Sequence, residues 1–331
     1  MQLAWRLGFA GAAARLTGQQ DPRLPGEIAF ARLLAAERTE TTRVLSTALR
    51  AAGVRHCFVK GAALDACYRP GERDADDLDV LVARDDLSPC TASLAIHGYA
   101  PVRGADQAAP PAMRRGLEFV GPGDLSPVLD LQWGLTSVNR LLSDCDAGVL
   151  EPLWNRVLVE NGVSVPPPAW HLALLVHHLV HHDLLHARAV LDLLLVGEHF
   201  APSEVEEVLR VAAALRVRRV TEAWLTASAR RLGGAGLPGT AGPRLTAAFD
   251  PARLFALSDR APAVEHQRIT WARLRRRFGL LDRRRDVGRL LRDALVPPDV
   301  YLRWRWPTAS GRLERWFRHA WRTAGKLIFP G

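Results

Sequence analysis

The stretch that decides the fold is Asp76-Asp77-Leu78-Asp79-Val80-Leu81-Val82, an apolar run with aspartates at alternate positions near its start. Side chains alternate between the two faces of a β-strand, so Asp77 and Asp79 are predicted to share one face, opposite Leu78. Carboxylate oxygens are the ligands that Mg²⁺ prefers. The pattern therefore predicts a strand whose two carboxylates either hold Mg²⁺ or, as aspartate pairs beside strands often do, cap a neighbouring helix or face solvent.

A short strand and a glycine precede this run. Residues 55–59 read as a strand, and Gly61 then opens a segment that reads as a short helix up to Tyr68. The first N–H groups of a helix and the positive end of its dipole attract phosphates. A phosphate site close to a metal site suggests nucleotide chemistry.

The remaining patterns of the first half predict an α+β arrangement. Gly53 and Gly98 are each expected to end a helix. In Leu129-Asp130-Leu131 a single acid again lies between apolar residues, and Asp130 could bring a third carboxylate to the same sheet face. Helices are predicted over 27–52 and 86–97, and strands over 99–102, 118–120 and 128–133.

Length and composition describe a folded two-domain protein. The chain has 331 residues, of which 48% are hydrophobic and 24% charged, as in ordinary globular proteins. Its four cysteines show no CxxC spacing, and we find neither a signal peptide nor an apolar run long enough to span a membrane. We predict a cytoplasmic protein with an α/β domain over 1–165 and an α-helical domain over 166–331.

The positive charge is concentrated at the C-terminus. Residues 264–331 contain seventeen Arg and Lys against six Asp and Glu, whereas the chain as a whole has a net charge of +9. Arginines alternate with aromatic residues there, among them Trp306, Trp316 and Trp321. This pattern fits a membrane-surface or protein contact, a nucleic-acid contact, or tryptophans buried against the helical domain with solvated arginines around them.

A histidine-rich helix is predicted from His171 to His186. Pairs four residues apart, such as His177 with His181, could share a metal ion. The glutamate that zinc hydrolases place between such histidines is absent. We therefore favour a structural role, in which the helix packs against the first domain and Asp192 pairs with an arginine, and one histidine could still line a nucleotide pocket.

Several of these motifs together resemble the uncharacterised nucleotidyltransferase family of the polymerase-beta-like nucleotidyltransferase superfamily. The resemblance covers the chain from about Ala29 to Arg322. Gln132 stands where the family more often has histidine. The motifs that carry it are Val59-Lys60-Gly61-Ala62-Ala63-Leu64, Arg73, Asp77-Leu78-Asp79-Val80-Leu81-Val82, Gly98-Tyr99, Leu129-Asp130-Leu131-Gln132-Trp133, His178, His182, Asp192 and Pro297-Pro298-Asp299-Val300-Tyr301-Leu302-Arg303.

The resemblance implies metal-dependent transfer of a nucleoside monophosphate from an NTP to a hydroxyl group. Two Mg²⁺ ions would join the phosphates to the attacking hydroxyl. Asp77 and Asp79 would bind the metals, and Asp130 would complete the metal site or accept the hydroxyl proton. The acceptor would be a small molecule, a peptide or a protein.

The phosphate-binding motif departs from the superfamily pattern, which has Gly-Gly or Gly-Ser where this chain has Gly61-Ala62. Alanine removes a hydroxyl contact to phosphate but keeps the backbone N–H groups. Lys60 or Arg73 could neutralise the triphosphate. Because of Ala62 and Gln132, a nucleotide-binding protein or biosynthetic accessory protein without turnover is the alternative to an enzyme.

Overall fold

We describe the chain from a computed structural model. It describes residues 24–61, 63–64, 68, 77–102, 115–135, 147–181, 189, 192–193, 196, 202–231, 278, 280, 287–288, 291–292, 296–297 and 299–328. Within these residues the first half of the chain folds into a small sheet flanked by helices. All the regular elements described after position 167 are helical.

Eight α-helices and seven strands lie within the described residues. The elements up to the second sheet are α1 (Leu24–Ala51), β1 (His56–Val59), β2 (Asp77–Val82), α2 (Leu87–Ile96), β3 (Ala100–Pro101), β4 (Gly116–Val120), β5 (Val128–Gln132), α3 (Glu151–Trp154), β6 (Leu158–Glu160) and β7 (Val163–Val165). The helices that follow are α4 (Pro168–His181), α5 (Val205–Ala214), α6 (Arg218–Arg231), α7 (Asp299–Arg305) and α8 (Arg312–Ile328).

Five of the strands form one mixed sheet in the order β1-β2-β5-β4-β3. Strand β2 runs parallel to β5, and every other neighbouring pair is antiparallel. The predicted strands are all present, with β3 at the edge as expected. This sheet and the helices that follow it confirm the predicted α+β class.

Two glycines end helices as the sequence predicts. Gly53 follows α1 with a φ of +69°, and Gly98 follows α2 with a φ of +78°. Both values lie in the left-handed region, which glycine enters without the strain caused by a Cβ atom. The two helices therefore stop at positions that return the chain to the sheet.

A second, two-stranded sheet is absent from the sequence predictions. Strands β6 and β7 form an antiparallel hairpin in which Glu160 is opposite Val163, so the loop consists of Asn161 and Gly162 alone. Both loop residues have positive φ, as a type I′ turn requires. The Asn-Gly pair between apolar residues was the signal, and it was missed.

The large sheet has two faces of different character. Its closed face carries Leu78, Val80 and Leu129, which are buried in one cluster with apolar residues of α1 and α2. Its site face carries Asp77, Asp79 and Asp130 beside Leu81, which is buried in a second cluster with α4, α5 and α6. The helical half of the chain therefore packs on the face that carries the carboxylates.

The predicted division at position 165 stays a prediction. The cluster on the site face contains Val59 and Leu81 from the sheet together with Leu175 and Trp224 from the helices, so residues on both sides of that position share one core. Among the described residues, we find no helix that is both long and apolar enough to cross a membrane.

Candidate active site

The sheet brings the three predicted carboxylates together. Asp77 and Asp79 lie on β2, and the register of the parallel pair places Asp79 directly beside Asp130 on β5. Directly paired residues of neighbouring strands project from the same face, as do alternate residues of one strand. Asp77 is exposed, Asp130 is partly buried, and Asp79 is only 3% exposed. The three acids therefore line one area of the site face that extends from the surface inward.

Lys60 reaches this area from the end of β1. It follows Val59, the residue opposite Asp79 in the antiparallel pair, and its Nζ donates a hydrogen bond to Asp79 Oδ1. The backbone φ of Lys60 is +53°, a conformation that costs energy in a residue with a Cβ atom. The chain therefore turns sharply here and places the ammonium group against the carboxylate.

The turn after Lys60 is tighter than predicted. The N–H group of Leu64 donates to the carbonyl of Gly61 at 3.1 Å, which is the i→i+3 pattern of a 3₁₀ turn. Gly61 itself is buried. The predicted helix from 61 to 68 is therefore replaced at its start by this turn, and its other positions are described only in part.

Gln132 joins two of the acids. Its Nε2 donates a hydrogen bond to Asp130 Oδ2 and lies 3.2 Å from Asp79 Oδ1, to which it also donates. Gln132 follows Asp130 by two positions on β5 and therefore projects from the same face. The residue that departs from the family pattern thus holds the two carboxylates in a fixed relation.

Burial and mutual repulsion disfavour the charged form of Asp79. Burial raises its pKa most, Lys60 opposes that effect, and the nearby charges of Asp77 and Asp130 raise it further, so that the pKa is about 6. The pKa of Asp130 is also raised, chiefly by burial, although Gln132 and Lys60 act to lower it. Both carboxylates therefore hold protons more tightly than exposed aspartates.

The charged form of Lys60, by contrast, is favoured by its surroundings. Burial acts to lower its pKa, but attraction to Asp79, and then to Asp130 and Asp77, leaves the pKa above its ordinary value. The pKa values of Lys60 and Asp79 are both raised, and the rise favours the charged form of Lys60 but the neutral form of Asp79, because one ammonium lies among three carboxylates. Lys60 is attracted by all three acids, whereas Asp79 is attracted by one cation, repelled by two acids and deprived of water.

The carboxylates of Asp77, Asp79 and Asp130 are suitable ligands for a divalent cation. Three carboxylates that repel one another provide hard oxygen ligands, and a cation among them would relieve the repulsion. Across the described positions, no three His, Cys, Asp or Glu side chains form a ready-made metal site. Lys60 and Gln132 both donate to Asp79 Oδ1, and Gln132 also donates to Asp130 Oδ2, so a metal at these oxygens would compete with their contacts. The donor set fits Mg²⁺ once Lys60 has moved away.

The helical half contributes His177 to the surroundings of Lys60. His177 lies on α4, is 3% exposed, and has no hydrogen-bond partner at Nε2 among the residues that the structure describes. Burial and, to a lesser extent, the Lys60 charge lower its pKa to about 4. The neutral imidazole thus lies near the carboxylate site. The sequence favoured His178, which is less buried, and His182, which is outside the described residues.

Asp192 makes a different contact from the predicted one. Its Oδ1 accepts a hydrogen bond of 2.5 Å from the hydroxyl of Tyr68, and both side chains are buried. Tyr68 follows the turn at Gly61, so this bond joins the turn segment to the helical half. The predicted arginine partner of Asp192 stays a prediction.

Two predicted phosphate-binding residues, Ala62 and Arg73, are outside the described residues. The structure therefore brings together Asp77, Asp79, Asp130 and Lys60. It also adds Gln132 and His177 as neighbours of that group. Gln132 was noted in the sequence only as a departure, and its even spacing from Asp130 was the signal that it shares the face.

Comparisons with known proteins give one extended family match and several weak structural similarities, including the following two. The antibiotic-resistance factor ANT(2'')-Ia is similar over 54% of this chain and 94% of its own, with 16% identity and a TM-score of 0.34. An antigenic nucleotidyltransferase-like protein from Paracoccidioides brasiliensis is similar over 54% of this chain and 91% of its own, with 15% identity and a TM-score of 0.33. No curated protein matches the chain significantly.

The extended match is to a protein family described as "Uncharacterised nucleotidyltransferase". It covers residues 22–233, which is more than half of the chain and includes every carboxylate of the candidate site. The family resemblance seen in the sequence motifs is thereby confirmed. The chain belongs to the uncharacterised nucleotidyltransferase family.

Proposed function

We propose that this chain transfers a nucleoside monophosphate from an NTP to a hydroxyl group of a small molecule, peptide or protein, with Mg²⁺ held by Asp77, Asp79 and Asp130. The observation that carries the proposal is the β2–β5 register, which pairs Asp79 with Asp130 on the face that also carries Asp77. Nucleotidyl transfer in general follows from the family. The metal, the acceptor and the residue roles are proposals.

Asp130 is the proposed acceptor of the hydroxyl proton. The attacking oxygen forms a bond to the α-phosphorus, the bond to pyrophosphate breaks, and the proton of the hydroxyl passes to the carboxylate. The raised pKa of Asp130, caused mainly by its burial, makes this carboxylate a better base than an exposed aspartate. Gln132 donates a hydrogen bond to Asp130 Oδ2.

Asp79 and Asp77 are the proposed metal ligands, with Asp130 as a third where it does not act as the base. Bound Mg²⁺ would neutralise charge on the phosphates and make the α-phosphorus more electrophilic. Two ions are expected in this superfamily, and three carboxylates are enough for shared ligation of two. The exposed position of Asp77 and the buried position of Asp79 give the site an outer and an inner ligand.

Lys60 is the proposed partner of the triphosphate. Its ammonium lies against Asp79, where it offsets part of the negative charge. When the metal and nucleotide bind together, the same ammonium can turn to a phosphate oxygen without leaving the site. Backbone N–H groups at Gly61 and Ala62, and the side chain of Arg73, are proposed to contact the phosphates as well.

One observation favours the alternative of a nucleotide-binding protein without turnover. Lys60 and Gln132 hold the carboxylates in contacts that a metal must displace, and no ready-made metal group is seen in the described part of the chain. A protein in which these contacts persist would bind nucleotide and release no pyrophosphate. The two functions therefore differ in a product that can be measured.

The test is pyrophosphate release from each labelled NTP with Mg²⁺ and a panel of hydroxyl acceptors. Wild type is expected to release pyrophosphate with at least one acceptor, and Asp79→Asn to abolish the release. The matched control is Asp85→Asn, because the Asp85 side chain is 88% exposed beyond the other end of β2. Nucleotide binding without release across all acceptors would favour the alternative, and equal release by wild type and Asp79→Asn would refute the assigned site.

A further inference from the structure

The last helix carries an exposed apolar stripe that the proposed active site does not use. Leu313, Phe317 and Trp321 follow one another at intervals of four residues and therefore lie on one side of α8. Their exposed fractions are 74%, 63% and 84%. We call these three residues the α8 stripe. Large apolar side chains that are exposed next to one another mark contact surfaces more often than singly exposed ones do.

The rest of α8 is held against α7, so the stripe faces outward. Arg315 Nη1 lies 3.7 Å from Asp299 Oδ1, and the Arg315 side chain is mostly buried. The ring of His319 lies 5.9 Å from that of Tyr301 and 5.7 Å from that of Trp306, both in edge-on contacts. These contacts fix the rotation of α8 about its axis. The alternative in which the tryptophans of this segment are buried is therefore wrong for Trp321.

The start of α8 is fixed as well. Both the N–H group and the hydroxyl of Ser310 donate to Glu314 Oε2 at 2.7 Å. The other oxygen of Glu314 accepts a hydrogen bond of 2.5 Å from Arg318. Both carboxylate oxygens of Glu314, the acid beside the stripe, therefore accept hydrogen bonds from Ser310 or Arg318 in the same segment.

The surroundings of the stripe are positively charged. Residues 299–328 contain seven Arg and Lys against two acids. Arg312 and Arg318 on α8 are exposed, as are Arg303 and Arg305 on α7. An outward apolar stripe with arginines beside it is the arrangement of helices that lie at the surface of anionic membranes.

We propose that the α8 stripe docks this protein on an anionic lipid surface, with Phe317 and Trp321 entering the headgroup region and the neighbouring arginines meeting lipid phosphates. Tryptophan favours this interfacial region. A nucleic-acid site would place arginines at its centre with aromatic rings between them, whereas here the centre of the exposed side is apolar. A groove on a partner protein could also accept such a helix, but the exposed arginines of α7 and α8 favour an anionic lipid surface.

The test is sedimentation of the full-length protein with vesicles of phosphatidylcholine containing about one-third phosphatidylserine. Wild type is expected to bind these vesicles, to bind pure phosphatidylcholine much more weakly, and to be released by salt. The variant Phe317→Ser/Trp321→Ser should lose about tenfold or more in affinity, because two apolar anchors are removed. The matched control is Ile96→Ser, since Ile96 is 83% exposed on α2, far from the α7–α8 arginines in sequence.

Each outcome decides the proposal. Loss of vesicle binding in the double variant, with wild-type binding by Ile96→Ser and unchanged thermal unfolding of both, supports it. Absence of binding to the anionic vesicles, or equal binding by the double variant, overturns it. A wild-type dimer that becomes monomeric in the double variant without any vesicle binding overturns it in favour of a protein contact. Salt-sensitive RNA or DNA binding without vesicle binding overturns it in favour of nucleic acid.

Discussion

The two faces of the five-stranded sheet are built from the same strands and differ in what they do. Leu129 and Asp130 are neighbours on β5, yet Leu129 is buried in the apolar cluster of α1 and α2, whereas Asp130 faces Lys60 and Gln132. On the closed face, burial contributes to the stability of the fold. On the site face, burial raises the pKa values of carboxylates and makes their charge costly. One strand therefore supplies both a stabilising contact and a reactive group at adjacent positions.

The largest difference between the faces is expected in activity. Asp79→Asn removes the buried metal ligand and should lower the rate of pyrophosphate release by about 10³-fold or more. The change keeps the size of the side chain, and far-UV circular dichroism should remain that of wild type. Asp85→Asn, at an exposed position beyond β2, should retain wild-type rates. Loss of activity in both Asp79→Asn and Asp85→Asn would show that the activity does not depend specifically on the carboxylates of the site face.

The closed face should respond in stability instead. Leu129→Ala removes a side chain that is fully buried, and it should lower the free energy of unfolding by about 3 kcal/mol, measured by urea denaturation. The activity of the molecules that remain folded should change little, because Leu129 points away from the carboxylates. A variant that keeps wild-type stability but loses turnover would contradict the division of roles between positions 129 and 130.

The pH dependence of stability should also differ between the faces. Burial, and then the neighbouring acids, raise the pKa of Asp79 from 3.8 to about 6, so the folded protein binds the proton more tightly than the unfolded chain. Its contribution to stability is full below about pH 4 and is lost as the pH rises through about 6. Between these values wild type should lose on the order of 2 kcal/mol more than Asp79→Asn. His177 titrates in both proteins, so its effect cancels.

The measurement is urea unfolding of both proteins at several pH values across this range. Parallel curves for wild type and Asp79→Asn would mean that Asp79 is not held in the buried, acid-rich surroundings described here. A wild-type curve that rises with pH relative to the variant would require a lowered pKa instead, as for an aspartate in a favourable ion pair.

The smallest expected effect concerns the competition between Lys60 and a metal ion. Lys60→Met removes the ammonium from Asp79, and at about pH 8 it should increase the affinity for Mn²⁺ in the absence of nucleotide by about tenfold. Lys60→Arg keeps the positive charge and serves as the control. Free Mn²⁺ can be measured by its paramagnetic resonance signal. If Lys60→Met bound Mn²⁺ more weakly than wild type, Lys60 would stabilise the arrangement of carboxylates that binds the metal and would not compete with the metal.

Much of the fold could be predicted because each element has a local signal. The alternation around Asp77 and Asp79 gave β2 and its two faces, and Gly53 and Gly98 gave the ends of two helices. The β6–β7 hairpin was missed despite its Asn-Gly turn, since strands of three residues show little alternation. The carboxylates were found in the same way, because spacing along a strand determines the face.

The contacts between these side chains could not be predicted. Lys60 lies against Asp79 because β1 and β2 are antiparallel neighbours and because the backbone turns at a positive φ, and neither fact is encoded by spacing. The packing of α4 buries His177 and leaves His178 only partly buried, although the helix is buried on nearly all sides. Long-range pairing thus decides which of several plausible residues lie beside the carboxylates.

The most direct measurement is Mn²⁺ binding in the presence of a non-hydrolysable nucleoside triphosphate, compared between wild type, Asp85→Asn and the double variant Asp79→Asn/Asp130→Asn. We predict that wild type and Asp85→Asn bind Mn²⁺ more tightly when the nucleotide is present. The double variant should lose this binding while its thermal unfolding shows that it is folded. Nucleotide-dependent Mn²⁺ binding of equal strength in all three proteins would contradict the assignment of the metal and nucleotide site to this face of the sheet.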